Sequence, residues 1–161
     1  MATEVTTRPL TAGDRELLRT ATLANVNRSG EQRFTSRDVD ERPDLRHYTV
    51  FRPERGDLGF VAGTRGLTVG VVWALFLDGD DPGYGFVADG VPELGLSVWS
   101  GHRGRGIGGG LLRQALDEAR RRGIGRVSLS VEAGNPSVRL YRSVGFAPVP
   151  GAADGTMAVD L

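Results

Sequence analysis

At 161 residues the chain is long enough for one domain with a sizeable core. Its 20 basic and 20 acidic residues cancel, which argues against bulk electrostatic binding of nucleic acid or of a membrane surface. The absence of cysteine removes disulfides, thiolate catalysis and cysteine metal sites, and the two histidines, His47 and His102, are too few for a histidine metal centre. All the basic residues are arginine, a side chain suited to bidentate phosphate contacts. The N-terminus shows no apolar signal region and no run reaches membrane-spanning length, so a cytoplasmic protein is expected.

In chain order, Val5 to Leu10 alternates weakly and ends in Arg8-Pro9-Leu10, as an edge strand would. Thr11 is placed to cap a helix over Asp14 to Ala24, with Leu17, Leu18 and Ala21 on its buried side. Polar Asn25 to Arg33 reads as a loop. Thr35 and Asp38 form a capping box for a short second helix, which Pro43 interrupts near its end. Phe34, Tyr48 and Phe51 are candidates for a cleft wall, although such residues more often fill a core. Leu58 to Gly63 and Leu67 to Leu77 predict two strands about the turn Thr64-Arg65-Gly66. Asp78-Gly79-Asp80-Asp81-Pro82-Gly83 is turn chemistry, with carboxylates that also suit a cationic amine. Tyr84 to Asp89 fits either a loop or a short strand extension.

The central stretch runs from Glu93 to Arg122 as strand, glycine-rich turn and helix. Leu94, Leu96, Val98 and Trp99 supply a strand-length apolar run, and Ile107, Leu111, Leu112, Ala115, Leu116 and Ala119 mark one face of a helix that Gly123 closes. Arg126 to Glu132 then alternates strictly, with Val127, Leu129 and Val131 on one side. Asn135 caps a short helix with Pro136 at its first position, Leu140 and Val144 facing inward and Gly145 at its end. Phe146 to Val149 and Thr156 to Leu161 predict the last strands, around Pro150-Gly151. The expected fold is one α/β domain over residues 1–161 with a mixed sheet, in the order β-α-α-β-β-β-α-β-α-β-β.

The turn that opens the central helix reads Arg103-Gly104-Arg105-Gly106-Ile107-Gly108-Gly109. Glycines admit close backbone approach, the first helical amides lack internal partners, and the dipole and two arginines favour an anion. This is built like a phosphate seat, although glycine-rich strand-to-helix turns also occur as plain connections. Gly104-Arg105-Gly106-Ile107-Gly108-Gly109 also fits the dinucleotide fingerprint, with Glu132 near the offset of its ribose-binding acid. Too little chain follows Glu132 to complete a doubly wound sheet, which makes an NAD-type oxidoreductase the weaker reading.

Arg103-x-x-Gly106-x-Gly108, paired with Asn135-x(5)-Tyr141-x(3)-Gly145-Phe146, resembles the GNAT superfamily of acyl-CoA-dependent N-acyltransferases. Both motifs lie within Leu94 to Phe146. The resemblance implies a GNAT-like fold and transfer of an acetyl group from acetyl-CoA to a primary amine by direct attack, with no protein nucleophile and no metal. It places the co-substrate on Val98, Trp99, Arg103, Gly104, Arg105, Gly106, Ile107, Gly108, Gly109 and Asn135. Tyr141 aligns with the general acid of the family, and a phenol is matched to protonating a departing thiolate. Glu93, at the start of the central strand, stands where relatives often carry a carboxylate base that works through water. Glu132 and, more weakly, His102 are alternative bases. The acceptor is a small-molecule or peptide amine, and homodimers are common in the family. A catalytically idle acyl-CoA-binding module is the competing reading, and retention of Tyr141 weighs against it.

Overall fold

From Val71 to Leu75 every side chain is apolar and buried, so this segment must be covered on both faces. The computed structural model, which describes residues 4–161, covers it with helices on each side. The strands are β1 (Thr6–Pro9), β2 (Leu58–Thr64), β3 (Leu67–Leu75), β4 (Glu93–Val98), β5 (Arg126–Ser130), β6 (Ala147–Pro148) and β7 (Thr156–Asp160). The helices are α1 (Arg15–Val26), α2 (Ser36–Glu41), α3 (Pro43–Arg46), α4 (Ile107–Arg121) and α5 (Ser137–Ser143), with 3-10 turns at His47–Thr49 and Pro53–Arg55. The sheet runs β1-β2-β3-β4-β5-β7-β6 and is antiparallel except between β4 and β5.

Strand alternation divides the core in two. Val72 and Ala74 of β3 and Leu94 of β4 pack with Leu111, Leu112, Ala115 and Leu116 of α4. Val71, Trp73 and Leu75 turn the other way, toward Leu18 and Ala21 of α1 and toward Phe51. Glu93, Gly95 and Ser97 pair with Leu75, Trp73 and Val71, and so share the α1 face. Helix α4 buries the apolar stripe expected from its sequence. Its end is closed where Ile124 donates its amide to the carbonyl of Ala119, across a left-handed Gly123.

The feature that shapes everything else is the parting of β4 from β5. Their parallel register is Glu93↔Ser128, with the Ser128 amide on the Pro92 carbonyl at 3.0 Å, and among the described residues it extends no further. Past that point the β5-facing edge of β4 is met by Asn25 of α1, whose side-chain amide donates to the Leu96 carbonyl at 3.2 Å. The linker between β3 and β4 folds back so that Gly85 lies against β5. A Cβ at residue 85 would sit 2.5 Å from the carbonyl carbon of Leu129 and 2.6 Å from the Ser130 nitrogen, and only glycine fits there.

The structure departs from sequence expectation in several places. Pro43 starts α3 instead of merely breaking α2, since its fixed φ and missing N–H suit a first turn. The order is therefore β-α-α-α-β-β-β-α-β-α-β-β. Thr11 does not cap α1. Asp14 holds that position, and its carboxylate turns back to the Thr11 amide at 2.8 Å and takes two bonds from Arg8 at 2.8 and 2.9 Å. The Arg8 pairing holds the Asp14 carboxyl down at about 2. Strand β3 stops at Leu75, Tyr84 to Asp89 is loop, and β6 shrinks to Ala147–Pro148, where proline has no amide to extend the ladder. Phe51 is core rather than cleft wall. The capping box of α2 forms as expected.

Gly85→Ala should cost about 1–3 kcal/mol through overpacking against backbone that cannot move aside. Gly79→Ala, where the added methyl meets nothing, should stay within about 0.5 kcal/mol. Urea denaturation of the two variants measures the difference; equal midpoints would show that the loop is not seated on β5.

Candidate active site

The glycine-rich turn leaves the start of α4 open. Gly106 occupies the N-cap of α4 at a φ of 80°, a left-handed conformation costly to any residue with a Cβ, and among the described residues no side chain caps the helix. The helix therefore opens with its first amides uncapped and its dipole exposed. Arg103 donates its Nε to the Val98 carbonyl at 3.1 Å, which folds the turn back onto the end of β4. Arg105, Gly104 and Gly106 are exposed.

Gly108 is where the separate motifs meet. A Cβ there would lie 3.5 Å from Val98 Cγ2 and 3.8 Å from side-chain carbons of Leu96 and Leu140. The end of β4, the start of α4 and the tyrosine-bearing helix α5 thus touch at one point. Ile107 and Gly109 are buried at this junction, so the Ile107 side chain serves the core. Trp99 is committed to the sheet, its amide donating to the Val69 carbonyl at 2.8 Å and its carbonyl accepting from His102 at 3.0 Å. Its indole packs toward the α1 side.

Asn135 accepts the Ser137 amide on its side-chain oxygen at 2.9 Å, a capping contact, while the regular helix starts at Ser137 with Pro136 at the junction. The buried residue of α5 is Tyr141, with Leu140 and Val144 only half-buried. Its ring stands edge-on to Phe146 at 5.8 Å between centroids. Among the described residues its hydroxyl has no hydrogen-bond partner, and burial pushes the phenol up to about 12.

On the α1 side of the sheet, Glu93 is buried, 6% exposed. Tyr48 donates its hydroxyl to Glu93 Oε2 at 2.6 Å, and the Gly85 amide donates to Oε1 at 3.0 Å. Burial raises the carboxyl above the usual range, while the bonds from Tyr48 and Gly85, and the charge of His47, pull the other way. Tyr48 is itself pushed up by burial and by the Glu93 carboxylate. His47 sets its Nδ1 at 2.8 Å from Asp81 in the acidic turn. That turn is largely self-satisfied, with Asp78 accepting the amides of Asp80 and Asp81.

The other two candidate bases are placed differently. Glu132 lies beyond β5, exposed and paired with Arg33 at 3.1 Å. His102 sits in the turn, its Nδ1 buried and without a partner among the described residues. Sequence reasoning named Tyr48 only as wall and missed Gly83, Gly85 and Asn25. The signal for the two glycines was their spacing in Gly83-Tyr84-Gly85, just upstream of Glu93, but only the fold reveals what they touch.

The Acetyltransferase (GNAT) family profile matches residues 23–146. The chain belongs to this family: it is a GNAT acetyltransferase. This GNAT acetyltransferase is 35% identical over 136 residues to streptothricin acetyltransferase of Streptomyces lavendulae, a match covering 80% of the chain and 70% of that protein. It is 36% identical over 109 residues to mycothiol acetyltransferase of Beutenbergia cavernae, covering 60% of the chain but only 37% of that protein. It shares its fold with a GNAT family acetyltransferase from Brucella melitensis solved in complex with acetyl-CoA, at a TM-score of 0.61 and 21% identity over 99% of this chain and 90% of the other. The dinucleotide fingerprint in its turn is therefore fortuitous. No helix among the described residues is long and apolar enough to cross a membrane.

Two tests follow from the site. Gly106→Ala should weaken CoA binding at least about tenfold, or 1.4 kcal/mol, because the left-handed φ of 80° is lost or strained. Gly110→Ala on the open face of α4 should leave affinity unchanged, and calorimetry with CoA distinguishes them. The tyrosines give a second test, since all three are raised, Tyr84 and Tyr141 to about 12. A folded pKa above the unfolded value means stability that is complete below about pH 10 and lost as pH rises toward 12. In a Tyr84→Phe background, which removes the half-exposed phenol, tyrosinate absorbance should be absent at pH 10 and appear above about pH 11 together with unfolding; a normal titration near pH 10 in folded protein would contradict the burial of Tyr48 and Tyr141.

Proposed function

We propose that this acetyltransferase moves the acetyl group of acetyl-CoA to the primary amine of a small molecule, with Tyr141 as general acid and Glu93 as base through a water. The acceptor nitrogen attacks the thioester carbonyl carbon, so a C–N bond forms as the C–S bond breaks. The nitrogen loses a proton toward Glu93, and the departing thiolate gains one from the Tyr141 phenol. The uncapped start of α4 with Arg103 and Arg105 suits the pyrophosphate, and Val98 and Asn135 flank the path of the pantetheine arm. The names of the relatives, streptothricin and mycothiol acetyltransferase, favour a small molecule over a peptide as acceptor.

The observation that carries this reading is the Tyr141 phenol. It is held by a buried ring, has no protein partner among the described residues, and is raised to about 12, so it stays protonated at neutral pH with its proton uncommitted. The Tyr141 oxygen is not among the fully buried unpartnered polar atoms, so the proton stays accessible to a ligand while the ring is packed. Glu93 is preferred to Glu132 as base because Glu132 is exposed and already paired with Arg33.

Tyr141→Phe keeps the ring and removes only the donor. Turnover, read as free thiol released in the presence of a panel of amines, should fall about 10²-fold. CoA affinity by calorimetry should move by less than about threefold, since one lost hydrogen bond is small. Near-normal turnover would make Tyr141 a packing residue.

A further inference from the structure

The contacts around Glu93 reach further than the assignment of a base. The Tyr48 oxygen accepts the Tyr84 amide at 2.8 Å and donates to Glu93 Oε2 at 2.6 Å. An amide that donates to a phenol oxygen settles the hydroxyl rotor, because the phenolic hydrogen must then point elsewhere, and the carboxylate is where it points. The ring is fixed on several sides. Trp73 donates its indole N–H to the Tyr48 carbonyl at 3.1 Å, His47 stands edge-on at 4.3 Å and Tyr84 stacks at 6.4 Å.

The loop above is shaped to the same pair. A Cβ on Gly83 would lie 2.1 Å from Glu93 Oε1 and 2.7 Å from the Tyr48 oxygen, so no side chain can stand between loop and carboxylate. Gly85, pressed on β5, gives its amide to Oε1 at 3.0 Å. Each carboxylate oxygen thus receives one protein donor and keeps lone-pair capacity for another.

Resting on the reading of Glu93 as base, we propose that Tyr48 is a positioning residue for the acetyl transfer, its phenol holding the Glu93 carboxylate in place as the proton acceptor. The groups that bear on this carboxylate are the Tyr48 hydroxyl, the Gly85 amide and His47, with Asp81 behind His47 and Asp44 behind the Tyr84 hydroxyl. Strand β3 brings apolar Leu75 opposite. Tyr48 is the closest donor of the set, and it cannot compete for the proton, since its own ionisation is pushed well above neutral pH. A donor that never ionises favours the charged carboxylate at all working pH values and offsets the burial.

The test is the pH profile of kcat/KM on one active amine, whose own ionisation adds the same fixed limb to every variant; the acid limb read here is the second, enzyme-borne ionisation below it. Tyr48→Phe removes the donor and leaves the burial, so the acid limb should move up by about one pH unit, with the alkaline plateau retained within about threefold. Replacement of Tyr48 by 3-fluorotyrosine, a stronger donor of nearly the same shape, should move the limb down, and serves where the phenylalanine variant folds poorly. Glu93→Gln should abolish the limb. If the limb vanishes in Glu93→Gln yet stays in place in both Tyr48 variants, the role of Tyr48 is overturned while Glu93 stands. If the limb persists in Glu93→Gln, the base assignment itself is wrong and this role for Tyr48 falls with it.

Discussion

The structure depends on two parallel strands that meet and then separate. A parallel pair has evenly spaced, slanted bonds, and each strand that leaves its neighbour exposes a row of backbone donors and acceptors. In this protein β4 and β5 share the Glu93↔Ser128 register and then diverge. The exposed edge cannot simply be buried. Asn25 answers one of its carbonyls, Arg103 another, and Gly85 braces the β5 side. The remaining edge lies beside the start of a helix whose first amides carry no side-chain cap among the described residues.

Because sheet residues alternate, the parting also sorts the chemistry. The side chains of β4 that face α4 are apolar and bind the strand to the larger core cluster, where Tyr141 is also buried. Those that face α1 are Glu93, Gly95 and Ser97. Gly95 is needed there because the Trp73 ring lies across it, with carbons 2.8 to 3.0 Å from where a Cβ would be. The phenol and the carboxylate to which the proposed function gives the acid and base roles are thus attached to different elements, Tyr141 to α5 and Glu93 to β4. Burial alone raises Tyr141 and keeps it neutral, whereas the burial of Glu93 is opposed by two hydrogen bonds.

Arginine contributes mostly at the surface. Arg8 with Asp14, Arg19 with Asp40 and Arg42 with Asp44 tie neighbouring segments around the helical entry to the fold, and exposed pairs of this type are individually weak. Arg33 differs in reach, joining the loop after α1 to Glu132 beyond β5, across the mouth of the parted strands. The two arginines of the glycine-rich turn stay exposed, consistent with charges kept for a ligand.

The sequence by itself determined what is local. The stripe of α4, the alternation of β5, the capping box at Thr35, and the glycines that only a turn and an open helix N-terminus require were all legible, because each is written in neighbouring residues. So were the two motifs that fix the family, since their spacing survives without any knowledge of packing. What only the tertiary structure decided is whatever depends on distant segments coming together. Glu93 was legible as a candidate base from its place at the start of β4, but its burial under the linker of β3 and β4 was not, and Tyr48 lay too far along the chain to be tied to it. Pro43 read as a stop because a proline ends one helix and begins another by the same missing amide; packing chose the second. Hydrogen bonds between residues dozens of positions apart leave no periodic trace, so the environment of the carboxylate had to come from the fold.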